Sequence, residues 1–445
     1  MTERSAQPAA DPEASGEADG ATGSAADEGR IGTREAARRL GVKPETLYAY
    51  VSRGQLHSLR AAGGRGSTFD PAEVEALARR GRPVPAESAA GAAGAVPGAG
   101  TGTGGWAQVR TGITLIDTDR YYFRGVDAVA LAEAYAYEEV AEWLWTGVLR
   151  RGAHFTAPPQ PLAAARKSVG SLPADCGPMN QLRVAVIAAA TADPLRFDLS
   201  QEAVLGSARA LIPVLVDALP PAARPHRGSG PLAWRLWSRL TAQPPDEASL
   251  RVLDAALALL IDHDLAASTL AARVAASARA HPYAVVSAGL GALDGPLHGQ
   301  ASALAHRMLA EVLERGSAGP VVAEYLRAGQ RVPGLGHRLY QGEDPRARLL
   351  FALLAEVPAA APALAAARDV AATAARRSPL HANVDLALGA LSVSCGMPVE
   401  AGETVFAVAR TAGWIAHALE EYGERPLRMR PSGSYDGPRP DQPLP

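Results

Sequence analysis

This 445-residue chain predicts a mostly α-helical protein in two unequal parts. Three observations point that way. From about residue 150 to 262, apolar residues recur at helical spacing in segments broken by proline, with no strand-like alternation. Residues 81–105 are Ala, Gly and Pro with little else, the composition of a flexible linker. Ahead of that linker, residues 31–80 read as helix, glycine turn, helix, wing and helix.

Composition narrows the function classes. The length suits two or three domains. Hydrophobic residues make up 47% and charged residues 20%, enough for a large core. A net charge of -2 gives the whole molecule no bulk attraction to nucleic acid or membrane. Lysine occurs only at Lys43 and Lys167, so arginine carries the positive charge. The two cysteines, Cys176 and Cys395, form neither a disulfide framework nor a metal pattern, and a reduced cytoplasm is the expected compartment. The N-terminus lacks the basic-then-apolar pattern of a signal peptide, and no apolar run approaches the roughly 18 residues of a membrane span. No His/Cys/acid cluster has metal-ligand spacing, and no Walker loop or dinucleotide fingerprint is present.

Residues 1–30 are acidic, polar and aperiodic, and are expected to be disordered. In the module at 31–80, Thr33 is expected to cap a helix running to Leu40, and Gly41-Val42 to turn. Pro44 starts a second helix with Leu47, Tyr48 and Val51 on one face. Gly63-Gly64 and Ser67-Thr68-Phe69 make a small wing, and Asp70-Pro71-Ala72-Glu73 has the form of a capping box. The order resembles the winged helix-turn-helix of excisionase and MerR-like proteins, chiefly through Arg34-Glu35-Ala36-Ala37-Arg38-Arg39-Leu40-Gly41-Val42. Nine Lys and Arg stand against five acids, a balance of +4, which suits phosphate contact. Lys43, Thr46, Tyr48 and Arg53 are the expected DNA-contacting residues. A helical module that packs on a partner is the other reading.

The body, residues 106–440, is expected to open with a hairpin at Thr114–Asp117 and Tyr121–Gly125, then a helical stretch from Val129 to Leu149. Further helices are expected at 161–169, 179–192, 200–219, 232–240 and 246–260. His154 and His226 are read as surface residues. Five later segments concentrate chemistry-bearing side chains, three of them with glycines: Ile261-Asp262-His263-Asp264, Gly295-Pro296-Leu297-His298-Gly299, Pro333-Gly334-Leu335-Gly336-His337-Arg338-Leu339-Tyr340-Gln341-Gly342-Glu343-Asp344-Pro345-Arg346, Asn383-Val384-Asp385-Leu386, and Arg410-Thr411-Ala412-Gly413-Trp414. A histidine reached through a glycine bend suits a cleft. An arginine fork suits a carboxylate. Taken alone, Asp385 reads first as a helix N-cap and second as a base, and Arg410 as a surface charge.

Together and in this order, the five segments resemble the citrate synthase family over about three quarters of the chain. The resemblance implies citrate synthase-like large and small helical domains, the small one at about 295–388, preceded by the winged helix-turn-helix. It implies condensation of acetyl-CoA with oxaloacetate and water to citrate and CoA, or of propionyl-CoA to 2-methylcitrate. No cofactor is permanently bound, and acetyl-CoA is a co-substrate. By the same resemblance Asp385 is the base, His298 holds the enol oxygen and His337 polarises the ketone. His263, Arg346, Arg410 and Arg430 bind the dicarboxylate, Arg430 being given across a homodimer interface. Gly334, Gly336 and Arg338 lie where CoA would bind. Several positions depart from the family: Thr118 and Arg120 replace hairpin glycines, and Gln300 a glycine after the histidine. Gln341 stands where relatives carry a basic residue suited to a CoA phosphate. A DNA-binding regulator that uses the body as a ligand sensor is the alternative.

Overall fold

The computed structural model describes residues 30–40, 47, 51, 56–60, 67–75, 109–222, 230–295, 298–377, 379–430, 435–438 and 441. The acidic tail, the linker, His226 and the four candidate DNA contacts Lys43, Thr46, Tyr48 and Arg53 lie outside these residues. The chain divides into two compact units, residues 1–103 and 104–445.

In the first unit, β1 (Ile31–Gly32) leads into α1 (Thr33–Leu40), and β2 (Ser58–Arg60) and β3 (Ser67–Phe69) complete a three-stranded sheet. The strand order is β1-β3-β2, antiparallel, with Phe69 opposite both Ile31 and Ser58. Ala36, Ala37, Leu47, Leu56, Phe69 and Val74 form its core, with Val51 packed against them, so the expected apolar face is the buried one. Two local expectations are corrected. Thr33 does not cap α1: its hydroxyl donates to the Ser67 carbonyl at 3.1 Å, tying the helix start to the wing. Asp70 accepts from the Ala72 N–H at 2.8 Å, but Glu73 does not reach back to close the box. Its carboxylate takes the His57 N–H at 3.0 Å and contacts the ring nitrogen at 2.9 Å.

The second unit opens with the hairpin β4 (Thr114–Asp117) and β5 (Arg120–Phe123), joined by β6 (Val126–Asp127). The turn lacks the family's glycine and closes with Thr118 at φ 52°. A β-branched residue at positive φ is strained. Asp119 beside it accepts the Gly342 N–H at 3.1 Å, so the turn is fastened to the histidine loop. The helical stretch expected over 129–149 is two helices, α2 (Ala128–Ala134) and α3 (Tyr137–Thr146). Tyr135 is extended at the break, where Glu139 accepts from the Ala136 N–H and Asp254 from that of Tyr137. His154 is exposed, as expected, and its Nδ1 lies 3.2 Å from the buried Glu138 carboxylate.

Then follow α4 (Pro159–Val169), α5 (Pro178–Thr191), α6 (Gln201–Ala218), α7 (Leu232–Leu240) and α8 (Glu247–Leu259), each within a few residues of expectation. Next come α9 (Ala267–Ser277), α10 (Pro282–Leu293), α11 (Ala301–Arg315), α12 (Ala318–Arg327), α13 (Pro345–Leu354), α14 (Ala361–Ala375), α15 (Val384–Ser394) and α16 (Ala401–Gly423). One continuous apolar core joins them. Among the described residues, no single helix is long and apolar enough to cross a membrane.

Glycine sets how closely α16 crosses its neighbours. A Cβ on Gly413 would stand 2.0 Å from the Ile261 carbonyl oxygen, so only glycine lets α16 pass this close to the end of α8. The adjacent Trp414 is fully buried over Gly289 of α10, where a Cβ would be 2.6 Å from the indole. This close crossing brings Arg410 to the loop that carries His263.

Candidate active site

Three loops and one helix meet at the site. The loop after α8 carries Asp262 and His263, the segment before α11 carries His298, residues 333–344 carry His337, and α16 carries Arg410. The His337 loop is fastened to the start of α15. Leu335 bridges to Ala382, the Gly336 N–H donates to the His381 carbonyl at 2.7 Å, and the Asn383 N–H donates to Gly334 at 2.9 Å. Gly334 and Gly336 have φ of 76° and 77°. A Cβ on Gly334 would meet Leu386 at 2.7 Å, so the close approach of the two segments needs glycine there. That approach puts His337 and Asp385 on one unit.

Asp385 is not the cap of α15. Asn383 is: its Oδ1 accepts from the Asp385 N–H at 3.0 Å and the Leu386 N–H at 3.4 Å, while Nδ2 donates to the Gly336 carbonyl at 2.8 Å. The Asp385 carboxylate, within the first turn, is thereby left without a hydrogen-bond partner among the described residues. Burial pushes it up to about 6, with Arg346 pulling the other way.

Two of the three histidines are in contact, and burial disfavours the charged form of all three. The His263 and His337 rings are 5.1 Å apart, edge to face. Burial drives His263 well below its ordinary value, reinforced by Arg346, His337 and Arg410. Burial likewise takes His298 and His337 down to about 4. Each ring has one nitrogen held from behind. His263 Nε2 meets the Tyr340 hydroxyl at 2.7 Å, and His298 Nε2 meets the Ser268 hydroxyl at 2.8 Å. His337 Nδ1 accepts the Leu339 N–H at 3.1 Å, which fixes its proton on Nε2.

The two buried arginines differ. Arg346 is bidentate to Asp344, at 2.9 and 2.8 Å, and Asp344 also accepts the Val384 N–H at 3.0 Å. Burial opposes both charges, yet the pairing holds the guanidinium above and the carboxyl below their ordinary values. Arg410 donates Nε to the Leu260 carbonyl at 2.9 Å and lies 4.5 Å from the Phe406 ring, whose other neighbour is His298 at 6.0 Å. Its Nη1 and Nη2 are buried without a hydrogen-bond partner among the described residues. Burial takes it down to about 10. A buried cation with two unpaired donors is a site prepared for an anion.

Thus His263, His298, His337, Arg346, Arg410 and Asp385 converge. Arg430 stands apart, exposed on the segment after α16, its N–H donating to the Leu427 carbonyl at 3.1 Å. Arg338 is also exposed, one residue beyond His337. Sequence reasoning assigned no role to Tyr340, Ser268, Asp344 or Asn383. Tyr340, Asp344 and Asn383 were part of quoted segments and Ser268 follows one, but only geometry tells which nitrogen or carboxylate each serves. His417 is buried in a structural network, with Nε2 3.2 Å from Asp262 and Nδ1 2.6 Å from Arg273, itself paired with Glu421.

The sequence model of the citrate synthase C-terminal domain matches residues 102–432, and that of a helix-turn-helix domain matches residues 31–82. The citrate synthase of Haloferax volcanii is 32% identical over 351 residues, 73% of this chain and 92% of that protein. A 2-methylcitrate synthase of Mycobacterium tuberculosis is 28% identical over 339 residues, 72% of this chain and 85% of that protein. The crystal structure of citrate synthase from Thermotoga maritima aligns with a TM-score of 0.62 at 27% identity, covering 78% of this chain and 98% of that one. With this ordered set of catalytic-type side chains on that fold, and a helix-turn-helix domain ahead of it, the chain belongs to the citrate synthase family.

Proposed function

We propose that this enzyme condenses an acyl-CoA with oxaloacetate, with the residues in the following roles. Asp385 takes a proton from the acyl α-carbon. His298, neutral and with Nε2 on Ser268, directs Nδ1–H at the enol oxygen that forms. The enol carbon attacks the ketone carbon of oxaloacetate, whose oxygen takes the Nε2 proton of His337. Water then hydrolyses the thioester, releasing CoA and citrate, or 2-methylcitrate if the donor is propionyl-CoA. Arg410, Arg346 and His263 hold the two carboxylates.

The observation that supports this reading over a ligand sensor is Asp385. A sensor needs the carboxylate clamp but has no use for a base. Here Asn383 takes over the capping task, and the aspartate is left in a desolvated position that raises its basicity. The test is CoA release, followed with a thiol reagent, from oxaloacetate with acetyl-CoA or propionyl-CoA. Turnover abolished in Asp385→Ala supports the assignment, and the better donor names the product. A folded protein that binds oxaloacetate and turns over neither donor refutes it.

The assembly consistent with this chemistry is a homodimer in which Arg430 completes the partner's carboxylate site, since within its own chain it is exposed and outside the cluster. Residues of about 295–388 act as a small domain closing over oxaloacetate, with Gly334, Gly336 and Arg338 beside CoA. The reaction is placed in the cytoplasm. The helix-turn-helix adds DNA as a second partner through Lys43, Thr46, Tyr48 and Arg53. A mobility shift with and without oxaloacetate tests this, and no shift in either condition removes the DNA assignment.

A further inference from the structure

Tyr340 takes no step in the chemistry above, yet it touches three of its participants. It is 4% exposed. Its hydroxyl lies 2.7 Å from His263 Nε2 and its ring 4.8 Å from that of His337. The Arg346 guanidinium carbon is 5.9 Å from its centroid. The bond to His263 joins the 333–344 loop to the loop after α8, two segments separated by 77 positions in sequence.

We propose that Tyr340 is a positioning residue: its hydroxyl donates to Nε2 of His263, fixes the proton on Nδ1, and so makes His263 a donor toward a carboxylate of the dicarboxylate substrate. This rests on the reading of His263 as a substrate ligand. A neutral imidazole has one N–H and one bare lone pair. Nε2 is taken by Tyr340, so the nitrogen left for the substrate is Nδ1. An ionised dicarboxylate with a ketone offers only acceptors. If Nε2 carried the proton and donated to the phenol oxygen, Nδ1 would turn a lone pair toward a carboxylate, and the two would repel. Protonating both nitrogens would also serve, but burial and the neighbouring Arg346 and Arg410 disfavour a third cation. Burial also keeps the phenol protonated, hence a donor, by raising its own ionisation. His337 needs no such partner, because the Leu339 N–H already sets its tautomer. Among the described residues no backbone donor reaches His263 in that place, and the hydroxyl of Tyr340 does the same job.

Tyr340→Phe tests this on the full chain, since it keeps the ring against His337 and removes only the hydroxyl. The expected result is a rise in KM for oxaloacetate of about three- to tenfold, the worth of one net hydrogen bond. KM for the acyl-CoA and kcat should stay within about twofold, with an unchanged melting temperature. In a His263→Asn background, Tyr340→Phe should add nothing further, because it acts through the ring that has gone. An unchanged oxaloacetate KM overturns the proposal, as does an equal loss for both substrates or an effect that persists in the Asn background. If the wild type turns over neither acyl donor, the condensing reading fails on its own account. Calorimetric titration with oxaloacetate then makes the same comparison in Kd, and a wild type that binds no oxaloacetate overturns the positioning role too.

Discussion

Arg410→Met should separate stability from binding. In the free protein the guanidinium is 1% exposed and makes one hydrogen bond, from Nε to the Leu260 carbonyl, while Nη1 and Nη2 have no partner among the described residues. Each unmade bond of a buried donor costs about 1–3 kcal/mol, and the Nε bond to a charged donor returns about 1.5–3 kcal/mol. Methionine fills most of the stem volume and removes both sides of that balance. With two such donors relieved and one bond lost, the free protein should change by between about 1 kcal/mol lost and about 4 kcal/mol gained in stability. Truncating one member of a fully paired buried ion pair costs about 3–5 kcal/mol instead.

Binding should move the other way. The two unpaired donors are the ones a carboxylate would take. Losing a desolvated charge pair costs about 2–5 kcal/mol, or roughly thirtyfold to three-thousandfold in affinity. Thermal unfolding with and without oxaloacetate reads both quantities in one experiment. At a hundred times the wild-type Kd, the ligand stabilises the wild type by about 2.7 kcal/mol. A variant weakened a hundredfold gains less than about 1 kcal/mol at that concentration. The reasoning is refuted if Arg410→Met melts as early as a broken ion pair would require and still responds fully to oxaloacetate.

Four further outcomes are expected. With Asp385 raised to about 6, kcat should be low below that pH, where the base is protonated, and rise to a plateau above it; Asp385→Asn should cost about 10²–10⁴ in turnover with oxaloacetate affinity retained. The sign for stability is opposite, because a carboxyl raised on folding binds more protons in the native than in the unfolded state; its contribution weakens as pH rises from about 4 through about 6, so Asp385→Asn should melt higher than the wild type at pH 7, as a pair of scans at pH 4 and 7 would show. Ser268→Ala, which leaves His298 Nε2 without its partner at 2.8 Å, should lower kcat by about tenfold with little change in oxaloacetate KM, readable in steady-state kinetics. Gly413→Ala places a Cβ 2.0 Å from the Ile261 oxygen and should cost more than about 3 kcal/mol in a urea melt, with loss of oxaloacetate binding because the His263 loop must shift.

The helices of the body were legible because helix-period apolar spacing and proline breaks are local signals. The five chemistry-bearing segments were legible because their residue types and order are. What sequence could not supply was partnership. Asp385 as cap and Asp385 as base have the same sequence, and only the Asn383 side chain reaching the Asp385 N–H decides between them. The break between α2 and α3 was missed for the same reason: Asp254, more than a hundred residues away, accepts the Tyr137 N–H there. Thr118 shows the converse. The loss of a hairpin glycine was visible in sequence, but its consequence was not, because the turn kept its place with a threonine at positive φ and a bond from Gly342 to Asp119.

The difference between the two buried arginines bears on how such a site can wait without its substrate. Arg346 is fully compensated by Asp344 on the same turn, so its charge is stable in the protein alone, and the Val384 N–H on Asp344 ties that pair to the segment bearing Asp385. Arg410 is not compensated in this way: Asp262, two residues from its Leu260 anchor, spends its oxygens on Thr114 at 2.5 Å and His417 at 3.2 Å. A dicarboxylate entering between them therefore meets one cation that is already rigid and one that gains its first full set of partners on binding. The second is where binding free energy is concentrated, and it lies on α16, held against the His263 loop by Gly413. Occupying Arg410 thus stabilises the contact between α16 and the loop that positions His263, whose ring lies edge to face with that of His337 at 5.1 Å. On the proposed roles, filling the carboxylate clamp and placing His337 are one event, so a substitution at Arg410 should also lower kcat at saturating oxaloacetate rather than raise KM alone.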